Sequence, residues 1–232
     1  MENGKIIVIE GPDGIGKTTQ INLLKEKFKD SSIEYTTHHF PTRGKSQAEY
    51  VDRYLSGAMG PKEELNQFLI NSFFAIDRAV TWDESLNDEY KKGKVILLDR
   101  YTTSSLIYQS ALIKDPIEKE RFLNYVPYYE YNVLNINEPD LVIFLTAPYD
   151  IVEQFINERD KNNYQKKDIH EDDNEYMKRV YINANYMAER FNWSIINYMD
   201  NGRLKTPEEI NDEIVKVLAE KLGLTFSKTL KK

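Results

Sequence analysis

No cysteine occurs anywhere in the 232 residues, which excludes disulfides and thiolate metal sites. Histidine is nearly as scarce: His38, His39 and His170 are too few and too scattered to form a metal centre. No apolar run approaches the roughly 20 residues that span a bilayer. The start, MENGKIIVIEG, enters an apolar segment without a basic-then-apolar leader. Positive charge is also short, and a formal net charge of -7 argues against a nucleic-acid partner. What remains is ordinary for a globular chain, with 41% hydrophobic and 30% charged residues. The length suits one sizeable core. The expectation is a cytoplasmic, single-domain protein with no membrane or nucleic-acid partner.

Five β-rich runs punctuate the chain: Lys5–Glu10, Ile33–His39, Lys94–Leu98, Leu141–Thr146 and Trp193–Asn197. KIIVIE, KVILL and LVIFLT are almost unbroken apolar stretches, as strands covered on both faces of a parallel sheet require. Helical patterns lie between them at Thr18–Phe28, Glu63–Asn87, Pro148–Arg159, Asn174–Arg190 and Thr206–Leu222. The last opens on Thr206-Pro207-Glu208-Glu209, a capping residue followed by proline and acids at the positive helix end. Strand–helix alternation predicts a doubly wound α/β sheet with right-handed crossovers, its strand order unspecified. Asp160–Asp173 is the most polar segment and reads either as a solvated loop or as a mobile lid.

GPDGIGKT, Gly11 to Thr18, fits the phosphate-loop pattern G-x-x-x-x-G-K-S/T between a strand and a helix. Glycines let backbone N–H groups approach phosphate oxygens, and the helix N-terminus adds a favourable dipole. Gly11, Asp13, Gly14, Ile15, Gly16, Lys17, Thr18 and Thr19 are therefore the candidate ATP-binding residues. Lys17 is placed to reach the β and γ phosphates and Thr18 to help hold Mg²⁺. An acid inside an anion-binding loop, Asp13, is the anomaly.

After the third strand stands Asp99-Arg100-Tyr101. A carboxylate at a strand end beside the loop suits Mg²⁺, and Arg100 offers a fork for a second phosphate. The pair is equally compatible with a plain ion pair between neighbours.

Taken together, GPDGIGKTTQ, then FPTR (Phe40 to Arg43), SFFAIDR ending at Arg78, DRYTTSSLIYQ and PDLVIFL resemble the thymidylate kinases, across almost the whole chain. These are P-loop nucleoside monophosphate kinases, and the lid sequence KKDIHEDD is most similar to bacterial members. The resemblance implies a three-layer fold with a five-stranded parallel sheet flanked by helices. With it go the expectations of one domain over residues 1–225, which the length suits, a short mobile lid near 159–173, and a frayed tail at 226–232, where the chain ends on SKTLKK. It also implies ATP, dTMP and Mg²⁺, with a homodimer as the assembly. By the same resemblance, Asp13 accepts from the sugar 3′-hydroxyl while Arg43 and Arg100 clamp the dTMP phosphate. Phe40 belongs to the same acceptor site, Phe74 stacks on thymine and Arg78 donates to a base carbonyl. Ser104 and Ser105 lie near the base, Tyr108 crowds the 2′ position, and Gln109 reaches base or phosphate.

The residues themselves leave alternatives. Phe73 and Phe74 also read as core, Arg78 as a surface partner of Asp77 or Glu84, and Tyr108 as buried packing with one hydroxyl partner. Some members carry a basic residue where this chain has Gly14, which transfers the demand for catalytic charge to the lid. Arg159 at its threshold is the best chemical match, with Lys161, Lys166 and Lys167 as alternatives. Glu171 or Asp172 matches the family's lid acid. No catalytic base is needed, because the acceptor is already an anionic phosphate. Two rival functions are a deoxynucleoside kinase, which would need a base for its hydroxyl acceptor, and a non-catalytic nucleotide-binding protein.

Overall fold

The computed structural model describes residues 3–162, 169–170 and 173–227. β1 (Lys5–Glu10), β2 (Tyr35–His39), β3 (Val95–Asp99), β4 (Leu141–Thr146) and β5 (Ser194–Asn197) form one parallel sheet in the order β2-β3-β1-β4-β5. All five lie within two residues of the expected runs. The inner strands β3 and β4 are buried at every residue, whereas the edge strand β5 alternates buried and exposed. That contrast follows from coverage: inner strands have helices on both faces, while an edge strand keeps one side wet.

Helices α1 (Lys17–Asp30) and α9 (Pro207–Leu222) cover one face of the sheet. Their Leu24, Phe28, Ile214 and Leu218 interlock with Ile7, Ile9, Leu97 and Ile143. On the opposite face Ile6, Val8, Ile96 and Leu98 meet Phe40, Trp82, Leu86 and Tyr101. Thr206 caps α9, as its sequence predicts, and the structure adds a reciprocal bond, the Glu209 side chain accepting from the Thr206 N–H, that completes a capping box.

The long helix expected over Glu63–Asn87 is divided. Asn66 caps α3 (Gln67–Thr81), a wide π turn occupies Trp82–Leu86, and α4 (Asn87–Lys91) follows. Two further helices lie outside the expected set, α2 (Glu49–Leu55) and α6 (Pro116–Pro127), while α5 (Thr102–Tyr108) starts four residues before the apolar stretch Leu106–Leu112 that reads as helical in the sequence. α5 reads TTSSLIY, a poor helix former by propensity, and its C-terminal carbonyls are held from outside. Asn183 of α8 (Asn174–Arg190) donates to Leu106 O and Ile107 O at 3.4 and 2.6 Å. α6 did carry a local signal, Asp115 capping the Glu118 N–H with Pro116 at the first helical position. α7 (Tyr149–Asn162) runs further than expected, into the polar segment. A small hairpin, β6 (Met199–Asp200) and β7 (Arg203–Leu204), precedes α9. No helix among the described residues is long and apolar enough to cross a membrane.

The parallel register aligns the carboxyl ends of the strands. Ile9 pairs with Asp99, and His39 pairs with Asp99 from the other side. Everything that follows β1, β2 and β3 in the chain therefore meets at one edge of the sheet, where ligands of open α/β folds bind.

Candidate active site

The phosphate loop leaves β1 and enters α1 through Gly16, a left-handed cap at φ 88° with no acid in the first helical turn. The dipole of α1 is thus unopposed at the loop. Thr18 and Thr19 lie exposed in that first turn, while Ile15 is buried beneath it. The Lys17 ammonium donates to Gly11 O and Pro12 O at 3.0 Å each. Burial, and then Arg100, pull its pKa below the ordinary lysine value, although Asp13, Asp99 and Glu10 oppose the shift. Gly14 is closed by its surroundings. Its φ is 79°, and a Cβ there would lie 2.7 Å from Ile156 Cγ1 and 3.1 Å from Ile156 N on α7. The missing charge at position 14 thus has a steric reason, since α7 lies directly on the loop.

The anomaly at Asp13 resolves into a cluster. Arg100 Nη2 donates to Asp13 Oδ1, and Tyr108 OH donates to Asp13 Oδ2 at 2.9 Å. The Arg100 guanidinium also lies 4.9 Å over the Tyr108 ring and 3.7 Å from Glu10 Oε1. Burial opposes the charge on Arg100, but Asp13 and its neighbours outweigh burial and hold the guanidinium firmly protonated. Arg100 adopts φ 68°, uncommon for a residue with a Cβ, and its N–H donates to Ile9 O at 3.2 Å. This turn throws the side chain back over the loop. Glu10, fully buried, accepts from the Gly11 N–H at 3.1 Å, Thr103 Oγ1 at 2.8 Å and Ser104 Oγ at 2.7 Å. It ties the loop to α5 and was not among the sequence candidates, although a charge ending the apolar run KIIVIE is a visible signal.

Asp99 and Arg100 do not pair with each other in the manner one sequence reading allowed. Asp99 Oδ2 lies 3.1 Å from His39 Nδ1, so His39, read as structural, contacts the strand-end carboxylate. Burial raises the Asp99 pKa, but the His39 hydrogen bond together with Lys17 and Arg100 brings it below the ordinary value. The other oxygen, Oδ1, is buried and has no hydrogen-bond partner among the described residues. An orphaned carboxylate oxygen beside the phosphate loop fits a hard divalent cation.

The remaining candidates come from the β2 turn, α3 and α5. Phe40 follows β2, is buried against Tyr101 at 5.8 Å, and its N–H donates to Asp99 O. Arg43, half exposed, pairs through Nε with Asp52 Oδ1 at 2.5 Å. The Thr42 N–H donates to Asp77 Oδ2 at 2.8 Å, which ties this turn to α3. Phe74 is part-buried and meets Tyr54 edge-on at 6.0 Å, while Phe73 stacks on Tyr50 at 5.2 Å. Arg78 pairs with neither Asp77 nor Glu84, the surface partners its sequence neighbourhood offered. Arg78 is buried and grips Glu130 through Nε and Nη2 at 2.6 and 2.7 Å. Nη2 also donates to Ser105 Oγ at 2.9 Å. Gln109 is buried at the end of α5. Asn71, two helical turns before Arg78 on the same face of α3, is fully buried, and neither amide atom has a partner among the described residues.

Of the lid candidates, Arg159 and Lys161 lie in the backbone span of α7, and their side chains fall outside the described residues, as do Lys166, Lys167, Glu171 and Asp172. The segment's described end is anchored. Ile169 N–H donates to Leu55 O, Lys62 donates to Ile169 O and Asp173 Oδ2, and Tyr54 OH lies 2.8 Å from His170 Nε2. The His170 ring stacks on Tyr108 with centroids 5.9 Å apart.

Residues 9–210 match the family model for thymidylate kinase. The chain is 32% identical over 149 residues to a thymidylate kinase of Desulfotalea psychrophila, a match covering 62% of this chain and 64% of that one. It is 28% identical over 215 residues to a probable thymidylate kinase of Methanocaldococcus jannaschii, covering 93% and 96%. A third relative, a thymidylate kinase of Exiguobacterium sibiricum, is 30% identical over 121 residues, or 52% and 56% of the two chains. The chain thus spans less than two thirds of the first and third relatives and nearly all of the second. Among solved structures, the thymidylate kinase of Candida albicans superposes with a TM-score of 0.70 at 18% identity, over 97% of this chain and 96% of that one. At that identity the likeness establishes the fold alone.

Proposed function

The chain belongs to the thymidylate kinase family, and from that premise we propose that it transfers the γ-phosphoryl group of ATP to dTMP, giving ADP and dTDP. One observation carries the reading. Asp13 of the donor loop is bonded at the same time to Arg100 and Tyr108 of the acceptor segment. Donor and acceptor phosphates held by these two segments would approach each other across one carboxylate. An acceptor phosphate oxygen then attacks the γ-phosphorus as the bond to the ADP oxygen breaks. Neither step calls for a base, so the residues act by alignment and charge.

Lys17 and the loop N–H groups would hold the donor phosphates, while Arg100 and Arg43 clamp the acceptor's. Arg43 would exchange Asp52 for phosphate, at little cost because that pair is half exposed. Phe74 and Arg78 would receive the base, with Ser104, Ser105 and Gln109 beside it and Tyr108 against the sugar. Lys17 and Arg100 lie among three carboxylates, Glu10, Asp13 and Asp99. A divalent cation accompanying the polyphosphate would offset the one excess negative charge of that group. Asp99 and Thr18 would hold Mg²⁺, which when bound neutralises charge on the donor phosphates. A cationic side chain from the lid, Arg159 or one of Lys161, Lys166 and Lys167, would complete the field. The lid sequence supports a bacterial type within the family.

A coupled assay of ADP release should give dTMP the highest kcat/KM among dTMP, dUMP, dCMP, dGMP, the ribonucleotide TMP and thymidine. Equal rates across the nucleotides, or preference for thymidine, would overturn the reading.

We also propose a homodimer. Leu69 and Ile76 project from one face of α3 at 55% and 46% exposure, beside the exposed Tyr50 of α2. A second copy would cover this apolar face. Sedimentation should return twice the chain mass of 27.3 kDa, whereas a monomer at micromolar concentrations would overturn the assignment.

A further inference from the structure

Arg78 and Glu130 lie 52 residues apart in the chain and are 2% and 0% exposed. Burying two charges is costly, and only close, saturated geometry offsets it. The geometry here is saturated on one side. Glu130 takes the Nε and Nη2 edge of the guanidinium at 2.6 and 2.7 Å, and its Oε2 also accepts from Thr102 Oγ1 at 2.8 Å. The second Nη2 hydrogen goes to Ser105 Oγ at 2.9 Å. A guanidinium has five N–H groups. Of the Nη1 pair, one makes a long 3.4 Å contact with Tyr101 O, which leaves one donor without a partner among the described residues.

This arrangement has two consequences for a ligand. The carboxylate cancels the guanidinium charge, so the site has no net attraction for a phosphate. The free edge presents only a donor, so it accepts a neutral carbonyl oxygen and rejects an amino group, whose own hydrogens would face it.

We propose that Glu130 is a specificity-determining positioning residue: by holding the Nε–Nη2 edge of Arg78, it aims Nη1 at a carbonyl of the acceptor base. The inference rests on the acceptor being a nucleotide whose base meets Arg78. Glu130 itself touches no substrate. It rides on the π turn Tyr128–Val133 that extends α6, an irregular segment suited to placing one side chain where a regular helix would not.

Glu130→Gln preserves volume while removing the charge and one acceptor. The dTMP KM should rise about 10- to 100-fold, the range expected for a weakened charge-assisted hydrogen bond. The ATP KM should stay within about twofold, and the kcat/KM preference for dTMP over dCMP should narrow by about tenfold or more. Glu130→Asp, which restores the charge, should recover part of that preference. Should the glutamine variant not fold, the paired replacement Arg78→Met with Glu130→Met removes both charges together and serves instead. It should abolish the preference for dTMP over dCMP. A glutamine or paired variant that only melts earlier, with the preference and the dTMP KM unchanged, would overturn the positioning role alone. A parent enzyme that does not use dTMP would overturn this inference and the proposed function together.

Discussion

Replacing Lys17 with alanine is expected to lower phosphoryl transfer from ATP to dTMP by about 10²- to 10³-fold, the effect of removing a preorganised charge from a developing anion. Binding of dTMP alone, measured by calorimetry, should change little, because the ammonium rests on the loop carbonyls Gly11 O and Pro12 O. The ammonium is held at the loop by those two carbonyls before any phosphate arrives. Turnover within about threefold of the parent would remove Lys17 from the machinery. The same residue sets an alkaline limit. Burial first, and Arg100 second, lower its pKa from 10.5. The working form is protonated, so it is present below the lowered pKa and lost above it. The kcat/KM for ATP should therefore fall at a pH below that of an ordinary lysine, and the residual activity of Lys17→Arg should lack that limb. The stability effect has the opposite sign to most deletions. Between the lowered pKa and 10.5 the native state binds fewer protons than the unfolded chain, so stability rises with pH there. At neutral pH the buried charge is a cost, and Lys17→Ala should melt no lower than the parent.

Arg100→Ala should be damaging in two separable ways. Transfer to dTMP should fall by about 10²- to 10³-fold with a raised dTMP KM, since the acceptor phosphate would face Glu10 and Asp13 without their cation. Stability should drop by about 3 kcal/mol, the scale for leaving buried charge unpaired. Urea melts measure the second effect and initial rates the first. Arg100→Lys keeps charge without the fork and should recover much of the stability but little of the dTMP affinity. Arg100→Gly should melt above Arg100→Ala by about 1 kcal/mol, because φ 68° suits glycine and strains alanine. An unchanged dTMP KM in Arg100→Ala would exclude it from the acceptor clamp.

Much of this protein was written locally. The three inner strands stand out because each is a nearly unbroken apolar run of strand length, the two edge strands because β-branched and aromatic residues are dense in them, and GPDGIGKT because glycine spacing and a following helix are features of consecutive residues. The cap on α6, Asp115-Pro116, was equally local. α5 was legible only in its apolar second half, because its opening TTSS is a poor helix former and its last carbonyls are held from outside by Asn183.

Side-chain partnerships were decided elsewhere. His39 meets Asp99 only because β2 and β3 are neighbours in the sheet, and no apolar pattern specifies which strands pair. Arg78 finds Glu130 rather than Asp77 or Glu84 because α3 turns that face inward, where an unpaired guanidinium could not remain. Gly14 shows both levels at one residue. The loop pattern permits almost anything at that position, yet α7, more than a hundred residues later in the chain, sets Ile156 where a side chain would have to stand. Local chemistry selects elements and turns within a few residues, whereas charge partners and steric limits depend on which elements packing brings together. The sequence alone therefore determined the strands and the phosphate loop of this protein. The tertiary structure alone decided which charges face each other around it.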